Sequence, residues 1–325
     1  MKEPSVTILV TLKNASSTIK MCIDSLLDLD YKNYEIFVVD AYSTDGSYEI
    51  LRKYGNKIKL YRLKGWAPVA YNWALKRIHT KYVALIDSDN VVPRDWLKKI
   101  MKGSDSPDVL EVVGFCSSPK KVSTLQYLLG KELEDRYKHF KKYLSRAPTM
   151  NVVIRTDIAK KLKFDESLRV GYDSDFSLRL SKLGKIKYIP SAKVLHYHRS
   201  SWFGFFKQQY ITALFTALFS FQKFKSRAKG DEISKFSMIL QPFLAHCFVL
   251  LLIFSIFEKM LFSLSVIPLI FLMMIWLYDS IRLSEKNIKY MFWYLAIFFV
   301  RTFAWSIGFG YGVLRLIFLQ IRNYI

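Results

Sequence analysis

A length of 325 residues admits one large domain or two modest ones. The formal net charge of +22 asks for an anionic partner. With neither a Cys-x-x-Cys pair nor a long basic tail, the sequence points away from nucleic acid and toward anionic lipid headgroups and phosphates. Three cysteines, Cys22, Cys116 and Cys247, are odd in number and far apart; they read as free thiols of a reduced compartment rather than a disulfide framework.

In chain order, the opening MKEPSVTILV enters a strand, Val6 to Val10, and is not read as a signal peptide. ASSTIKMCIDSLLDL follows as a helix, with Ser16 or Ser17 able to cap it and Ile19, Ile23, Leu26 and Leu27 on one face. YEIFVVD is a second apolar strand closing on Asp40, STDGSYEILRKYG a turn and helix, IKLYRL a third strand, APVAYNWALKRI a helix and KYVALIDSDN a fourth strand. Nearly all-apolar strands alternating with helices predict a parallel sheet covered on both faces. Ligands of such sheets bind beyond the carboxyl ends of the strands, which brings Asp40, Asp45 and Asp87 to one crevice. Residues 122–146 read as a charged helix, TMNVVIRTDIAKKL as strand and helix, FDESLRVGYDSDFSLRLSKLG as loop and helix, and KIKYIPSAKVLHYHRSS as strand and loop.

Long apolar stretches take over from about residue 239, so the mean hydropathy of +0.12 averages two different regions. Residues 199–237 are aromatic with basic ends and predict one or two amphipathic helices in a membrane interface. Residues 238–325 predict three transmembrane helices, about 239–257, 260–278 and 291–312, with a tight hairpin at Glu258–Lys259. Lys223, Lys225, Arg227 and Lys229 before the first span, and Arg282, Lys286 and Lys289 in a later loop, place the first two-thirds of the chain in the cytoplasm and the C-terminus outside. Arg301 interrupts the third span. A mid-span charge costs ~2.5–3.5 kcal/mol on insertion scales, so it is expected to pair within the bundle, meet a lipid-linked phosphate or snorkel.

Asp87-Ser88-Asp89 after a hydrophobic strand offers hard oxygen ligands of the kind that hold Mg²⁺ or Mn²⁺ against a substrate diphosphate. The plain alternative is an Asx turn. The segments VTILVTLKNASSTIKMCIDSLL, YEIFVVDAYSTDGS, ALIDSDN and FDESLRVGYDSDFSLRL occur in this order. Together they resemble the family-two glycosyltransferases over roughly residues 4–210. That resemblance implies an α/β GT-A domain over residues 1–198, Rossmann-like with a mostly parallel sheet. It implies that Asp40 reads the nucleotide base, that Asp87 lies by the ribose and Asp89 on the metal, and that Asp45 belongs to the donor site. It further implies Asp173 as catalytic base, with Asp175, Arg179 and Asn151 supporting the acceptor side, and His196 or His198 as a further metal or diphosphate contact. Tyr172 stands where Glu is common in the family.

The implied reaction is inverting transfer of a sugar, mannose from GDP-mannose in the first instance and a UDP-sugar in the second. The implied acceptor is membrane-bound, a polyprenyl or dolichyl phosphate-linked glycan. The layout resembles a reduced cellulose-synthase-like chain, but KQQYITAL replaces the Gln-x-x-Arg-Trp of processive synthases. A nucleotidyltransferase or dehydrogenase is disfavoured because no Gly-rich loop follows the first strand. A membrane scaffold or transporter subunit would leave the ordered carboxylates unexplained.

Overall fold

The computed structural model describes residues 3–223 and 236–324, with side chains described through 217 and from 236 to 317. Lys225, Arg227 and Lys229 of the expected basic flank, the end of the expected interface segment and residue 325 lie outside the described residues. The chain divides into two compact units, one holding Leu133–His198 and the residues up to Lys121, the other Val122–Glu132 and the residues from Arg199 onward.

The first unit opens with the expected alternation: β1 (Val6–Leu12), α1 (Ile19–Leu27), β2 (Tyr34–Asp40), α2 (Ser47–Arg52), β3 (Lys59–Arg62), α3 (Ala67–Leu75) and β4 (Tyr82–Asp87). The chain continues through β5 (Asn90–Val91), α4 (Trp96–Met101), β6 (Val109–Ser117), α5 (Thr124–Lys138), whose residues up to Glu132 belong to the second unit, then β7 (Tyr143–Leu144), β8 (Asn151–Arg155), α6 (Thr156–Leu162), α7 (Tyr172–Leu180) and β9 (Lys185–His196). The sheet runs β3-β2-β1-β4-β8-β6-β9-β5, with β7 on β9. Strands β3, β2, β1 and β4 are parallel, and β8 is antiparallel to both β4 and β6. Ile8, Leu9 and Val10 of β1 and Val83 to Ile86 of β4 are almost wholly buried, as expected of strands covered on both faces.

Two segments differ from the sequence reading. The helix expected over 122–146 stops at Lys138, where His139 and Phe140 turn back through short bonds to the Arg136 and Tyr137 carbonyls, and Tyr143–Leu144 joins the sheet instead. Strand β6 does not stand out in the sequence because Glu111 and Gly114 interrupt its apolar run. Gly114 is there because a side chain would strike the Ala192 carbonyl and the Asn151 carboxamide. Glu111 is 1 % exposed in the core, and its Oε2 meets no hydrogen-bond donor among the described residues. Burial first, and then the charge of Asp173, pushes its carboxyl up to about 8.

The second unit holds α8 (Trp202–Lys223), α9 (Phe236–Phe254), α10 (Met260–Leu283) and α11 (Ile288–Tyr324). The last three are long and apolar enough to cross a membrane. Phe243, Ile253, Phe254 and Met260 are half to two-thirds exposed, a surface that lipid rather than water would suit. The helix α8, over the segment expected to lie in a membrane interface, packs along α11. Gly308 and Gly312 of α11 lie against Ala213 and Ala217 of α8, so close that a Cβ at either glycine would press on those alanines and on the Tyr210 or Leu214 carbonyl. Small residues four apart on both helices permit that approach. Trp276, Gln241 and Thr302 close a buried polar triad between α9, α10 and α11: the indole N–H donates to Gln241 Oε1 at 3.3 Å and Thr302 Oγ1 at 3.2 Å, and the Thr302 hydroxyl donates to Gln241 at 2.9 Å. Arg301 pairs within the bundle. Its guanidinium donates twice to the Glu132 carboxylate, both bonds 2.6 Å, with each side chain at most 10 % exposed.

Two outcomes follow from these buried charges. A folded Glu111 carboxyl stays protonated to about pH 8, whereas an unfolded one ionises near its ordinary 4.5. The folded state therefore holds the extra proton between those values, and stability falls as pH rises through the window, by up to about 1.4 kcal/mol per unit. Glu111→Gln is expected to remove that slope, read by thermal unfolding in detergent from pH 5 to 8; an identical slope in both proteins would refute the assignment. Removing one member of a buried ion pair costs ~3–5 kcal/mol, whereas replacing both by apolar residues is often neutral. Glu132→Gln or Arg301→Met alone should thus unfold the bundle at lower temperature, and Glu132→Leu with Arg301→Met should recover most of the loss.

Candidate active site

The site begins with strand register. Pairing of β1 with β2 sets Leu12 beside Asp40, and pairing with β4 sets Thr11 beside Asp87, so both aspartates finish at one edge of the sheet. The two-residue strand β5 then turns back against β9, with Asn90 opposite His196. The Tyr197 amide donates to the Asp89 carbonyl at 2.9 Å. This pairing draws His196 Nε2 to 3.3 Å from Asp89 Oδ1. Asp87, Asp89 and His196 each present a ligand atom, all within 4.8 Å of one another. Two carboxylates and an imidazole form a donor set that fits a divalent ion, the oxygens suiting Mg²⁺ or Mn²⁺ and the nitrogen favouring the transition metal. His198 is not one of the three; its ring meets that of His196 at 4.3 Å between centroids.

Asp40 is fully buried, and its carboxylate accepts from the Ser43 amide at 3.1 and 3.2 Å and from Arg62 Nε at 3.1 Å. The Arg62 guanidinium in turn lies over the Tyr42 and Tyr48 rings at 4.4 and 4.2 Å. Asp45 ties two loops together. Burial opposes its charge, but hydrogen bonds from the Ser47 hydroxyl and from the Ser16 and Ser47 amides outweigh it and hold the carboxyl down to about 2. Asn151 lies in the core rather than at the crevice. It is fully buried, donates to the Phe115 and Ala192 carbonyls at 3.1 and 3.0 Å and accepts from Trp96 Nε1 at 2.9 Å.

Asp173 and Asp175 occupy the first turn of α7, which Gly171 starts from a left-handed conformation, φ 77°. Asp175 Oδ2 is held by Arg179 Nε at 3.0 Å, and the same guanidinium donates to the Leu162 and Lys163 carbonyls at 2.8 Å each, which fastens α7 to the end of α6. Asp173 accepts from the Ser174 amide at 2.7 Å. Its charge acts on the same two phenols as that of Asp87: Tyr71 and Tyr172 are both pushed above the usual tyrosine range, by burial first and then by neighbouring charges that include these two aspartates. The neighbouring Thr11 and Thr149 side chains at Tyr71, and Thr149 at Tyr172, act in the opposite direction. The sequence reading did not single out Tyr71, Thr149 or Arg62. Tyr71 reads there as one more apolar position of a helix, and only the packing of α3 brings it under the charges of Asp87 and Asp173.

Beneath the crevice lie two thiols. Cys22 Sγ approaches the Asp87 carbonyl at 3.7 Å, and Cys116 Sγ approaches the Tyr137 hydroxyl at 3.5 Å. Burial, and then the charges of Asp87 and Asp89, push the Cys22 thiol up. Cys116 is pushed up to about 12, again by burial first. Cys22, Cys116 and Cys247 are all free.

Residues 7–165 match the model of glycosyl transferase family 2. An uncharacterised glycosyltransferase of Rickettsia typhi is 26% identical over 195 residues, 56% of this chain and 60% of the relative. A UDP-Glc:alpha-D-GlcNAc-diphosphoundecaprenol beta-1,3-glucosyltransferase of Escherichia coli is 37% identical over 89 residues, 26% of this chain and 35% of the relative. The chain thus spans 60% and 35% of the lengths of these two curated relatives. A solved mannosyltransferase from Pyrobaculum calidifontis, in complex with GDP-Man and Mn²⁺, has a similar fold, with a TM-score of 0.60 at 16% identity over 94% of this chain and 88% of that one. The matched residues contain the strand-end carboxylates whose register is described above, and they form a glycosyl transferase family 2 domain with a GT-A-type fold.

Proposed function

We propose that this glycosyltransferase moves a sugar, with inversion, from a nucleotide-diphosphate donor to a membrane-bound acceptor. The observation that carries the reading is the convergence of Asp87, Asp89 and His196 at the sheet edge. The Asp173 charge acts on the same two tyrosines as that of Asp87. GDP-mannose is the donor we favour, supported by the similar fold of the mannosyltransferase solved with GDP-Man and Mn²⁺. A UDP-sugar is the second reading, supported by the relative named for UDP-Glc and a diphosphoundecaprenol acceptor. That relative's acceptor and the three apolar helices together support a polyprenyl phosphate-linked glycan as acceptor. The basic loop holding Arg282, Lys286 and Lys289 supports a cytoplasmic catalytic domain, with the Glu258–Lys259 hairpin on the other side.

In this mechanism Asp87, Asp89 and His196 would hold a divalent metal. A divalent ion bound there offsets the charge that develops on the departing diphosphate. Asp40 and Arg62 shape the nucleotide end, and Asp45 acts indirectly by fixing the loop between β2 and α2. Asp173 takes the acceptor hydroxyl proton as its oxygen attacks the anomeric carbon. Asp175 is engaged by Arg179 and positions α7 instead. Tyr71 and Tyr172 stay protonated and can donate to donor or acceptor oxygens.

Asp89→Ala should abolish Mn²⁺- or Mg²⁺-dependent binding of the nucleotide-sugar in calorimetry; an unchanged metal-dependent affinity would remove Asp89 from the site. Asp173→Asn keeps size but loses the proton acceptor. It should bind metal and donor nearly as the parent does while transfer falls ~10²–10⁴-fold. If Asp173→Asn transfers normally and a folded Asp175→Asn does not, the base is Asp175. A panel of GDP- and UDP-sugars assayed for metal-dependent hydrolysis decides the donor.

A further inference from the structure

A second cleft, of about 1010 Å³, shares no residue with the donor crevice. Its wall is a cluster of four rings. Tyr137 lies 5.7 Å from Phe115, 4.6 Å from Phe140 and 6.3 Å from Tyr188, and Phe140 lies 5.4 Å from Tyr188. The Tyr188 hydroxyl donates to the Tyr137 carbonyl at 3.0 Å, which pins β9 to the end of α5. Phe115 and Phe140 remain partly exposed. The rim is cationic. Lys99, Lys138, Lys142 and Lys193 line the cleft, and no acidic residue does. Lys99 is paired with Asp95 at 2.6 Å. Lys138, Lys142 and Lys193 have no carboxylate within ion-pair distance among the described residues; the acidic group that feels Lys142, Asp105, is already held by Lys187 at 2.7 Å.

One side of the cleft is built by an irregularity in the pairing of β6 with β9. The ladder between β6 and β9 runs to Gly114–Ile189 and resumes at Phe115–Lys193. The residues skipped on β9 include Pro190 and Ser191, which bulge out to form one side of the cleft, while Lys193 returns with its ammonium 5.7 Å from the Phe115 ring. Such bulges re-aim side chains and mark designed features. Aromatic faces suit the apolar C–H faces of sugar rings. Uncompensated ammonium groups around a low-dielectric wall focus field on an anion, and Lys is a point-charge binder of phosphate. The volume, at the upper end of small-ligand sites, exceeds the need of one monosaccharide.

We propose that this cleft binds a phosphate-bearing oligosaccharide, its rings against Phe115 and Phe140 and its phosphate among Lys138, Lys142 and Lys193. The binding is independent of metal and of nucleotide-sugar.

The test uses the full chain in a neutral detergent, without divalent metal. Mannopentaose 6-phosphate and unphosphorylated mannopentaose are titrated by calorimetry. The phosphorylated sugar should bind at least about tenfold tighter, as charge-assisted bonds imply. Lys138→Gln, Lys142→Gln and Lys193→Gln combined should remove that difference while metal-dependent nucleotide-sugar binding stays at the parent value. Phe140→Ala should weaken both sugars by a similar factor. Equal binding of the two sugars, or an undiminished preference for the phosphorylated one in the triple variant, overturns the proposal. Displacement of the phosphorylated sugar by mixed micelles holding phosphatidylglycerol but not by those holding phosphatidylcholine would make lipid headgroups the occupant and overturn it too. Loss of nucleotide-sugar binding in the parent protein would strike the catalytic reading alone, since the cleft is read without donor or metal.

Discussion

The double pairing of β1 is the constraint from which the site follows. A strand hydrogen-bonded in parallel on both edges cannot shift against one neighbour without breaking its ladder to the other. Its side chains are buried on both faces, so a slip of one residue would exchange every one of them between the layers. With β1 fixed, Asp40 and Asp87 have no freedom along their strands. The remaining freedom at the crevice is lateral, and the two pairs of β5 with β9 remove it by carrying His196 to Asp89. A catalytic edge is thus positioned by backbone hydrogen bonds, with loops left to vary around it.

The buried charges sort into those answered by the chain and those facing the crevice. Arg301 is answered by Glu132, Asp175 by Arg179 and Asp40 by Arg62. Glu111 is instead kept neutral by its surroundings, which spares Asp173 a second negative neighbour in the core. Asp87, Asp89 and His196 are drawn together at the crevice, each presenting a ligand atom within 4.8 Å of the others. Concentrating negative charge in this way is costly for a protein alone and becomes favourable with a bound cation.

Much of this was legible in the sequence, for identifiable reasons. The strands ending at Asp40 and Asp87 are continuous apolar runs broken by turn residues, a pattern with one physical reading. The third transmembrane candidate stands out because only a single cation interrupts it. Strand β6 was missed because a carboxyl at 111 and a glycine at 114 break its run, and both are explained only by tertiary contacts. Asn151 was assigned to the acceptor side, yet its amide is spent on two carbonyls and an indole from elements remote in sequence. Glu132 as the partner of Arg301 could not be read from local pattern either, since 169 residues separate them. The Arg179 guanidinium that engages Asp175 sits at a visible i,i+4 position, but its carbonyl contacts to α6 are not legible in the sequence.

The two thiols beneath the crevice have a practical consequence. Electrophiles react with thiolate, and burial beside two carboxylates suppresses that form at Cys22 and Cys116. In the native protein both should be inert, leaving the half-buried Cys247 as the accessible sulfur. Modification of Cys22 or Cys116 then requires the sheet edge to open, so its rate becomes a clock for local unfolding at the carboxylates themselves. An ion or nucleotide-sugar that closes the crevice would slow that clock, giving a measure of occupancy that does not depend on turnover.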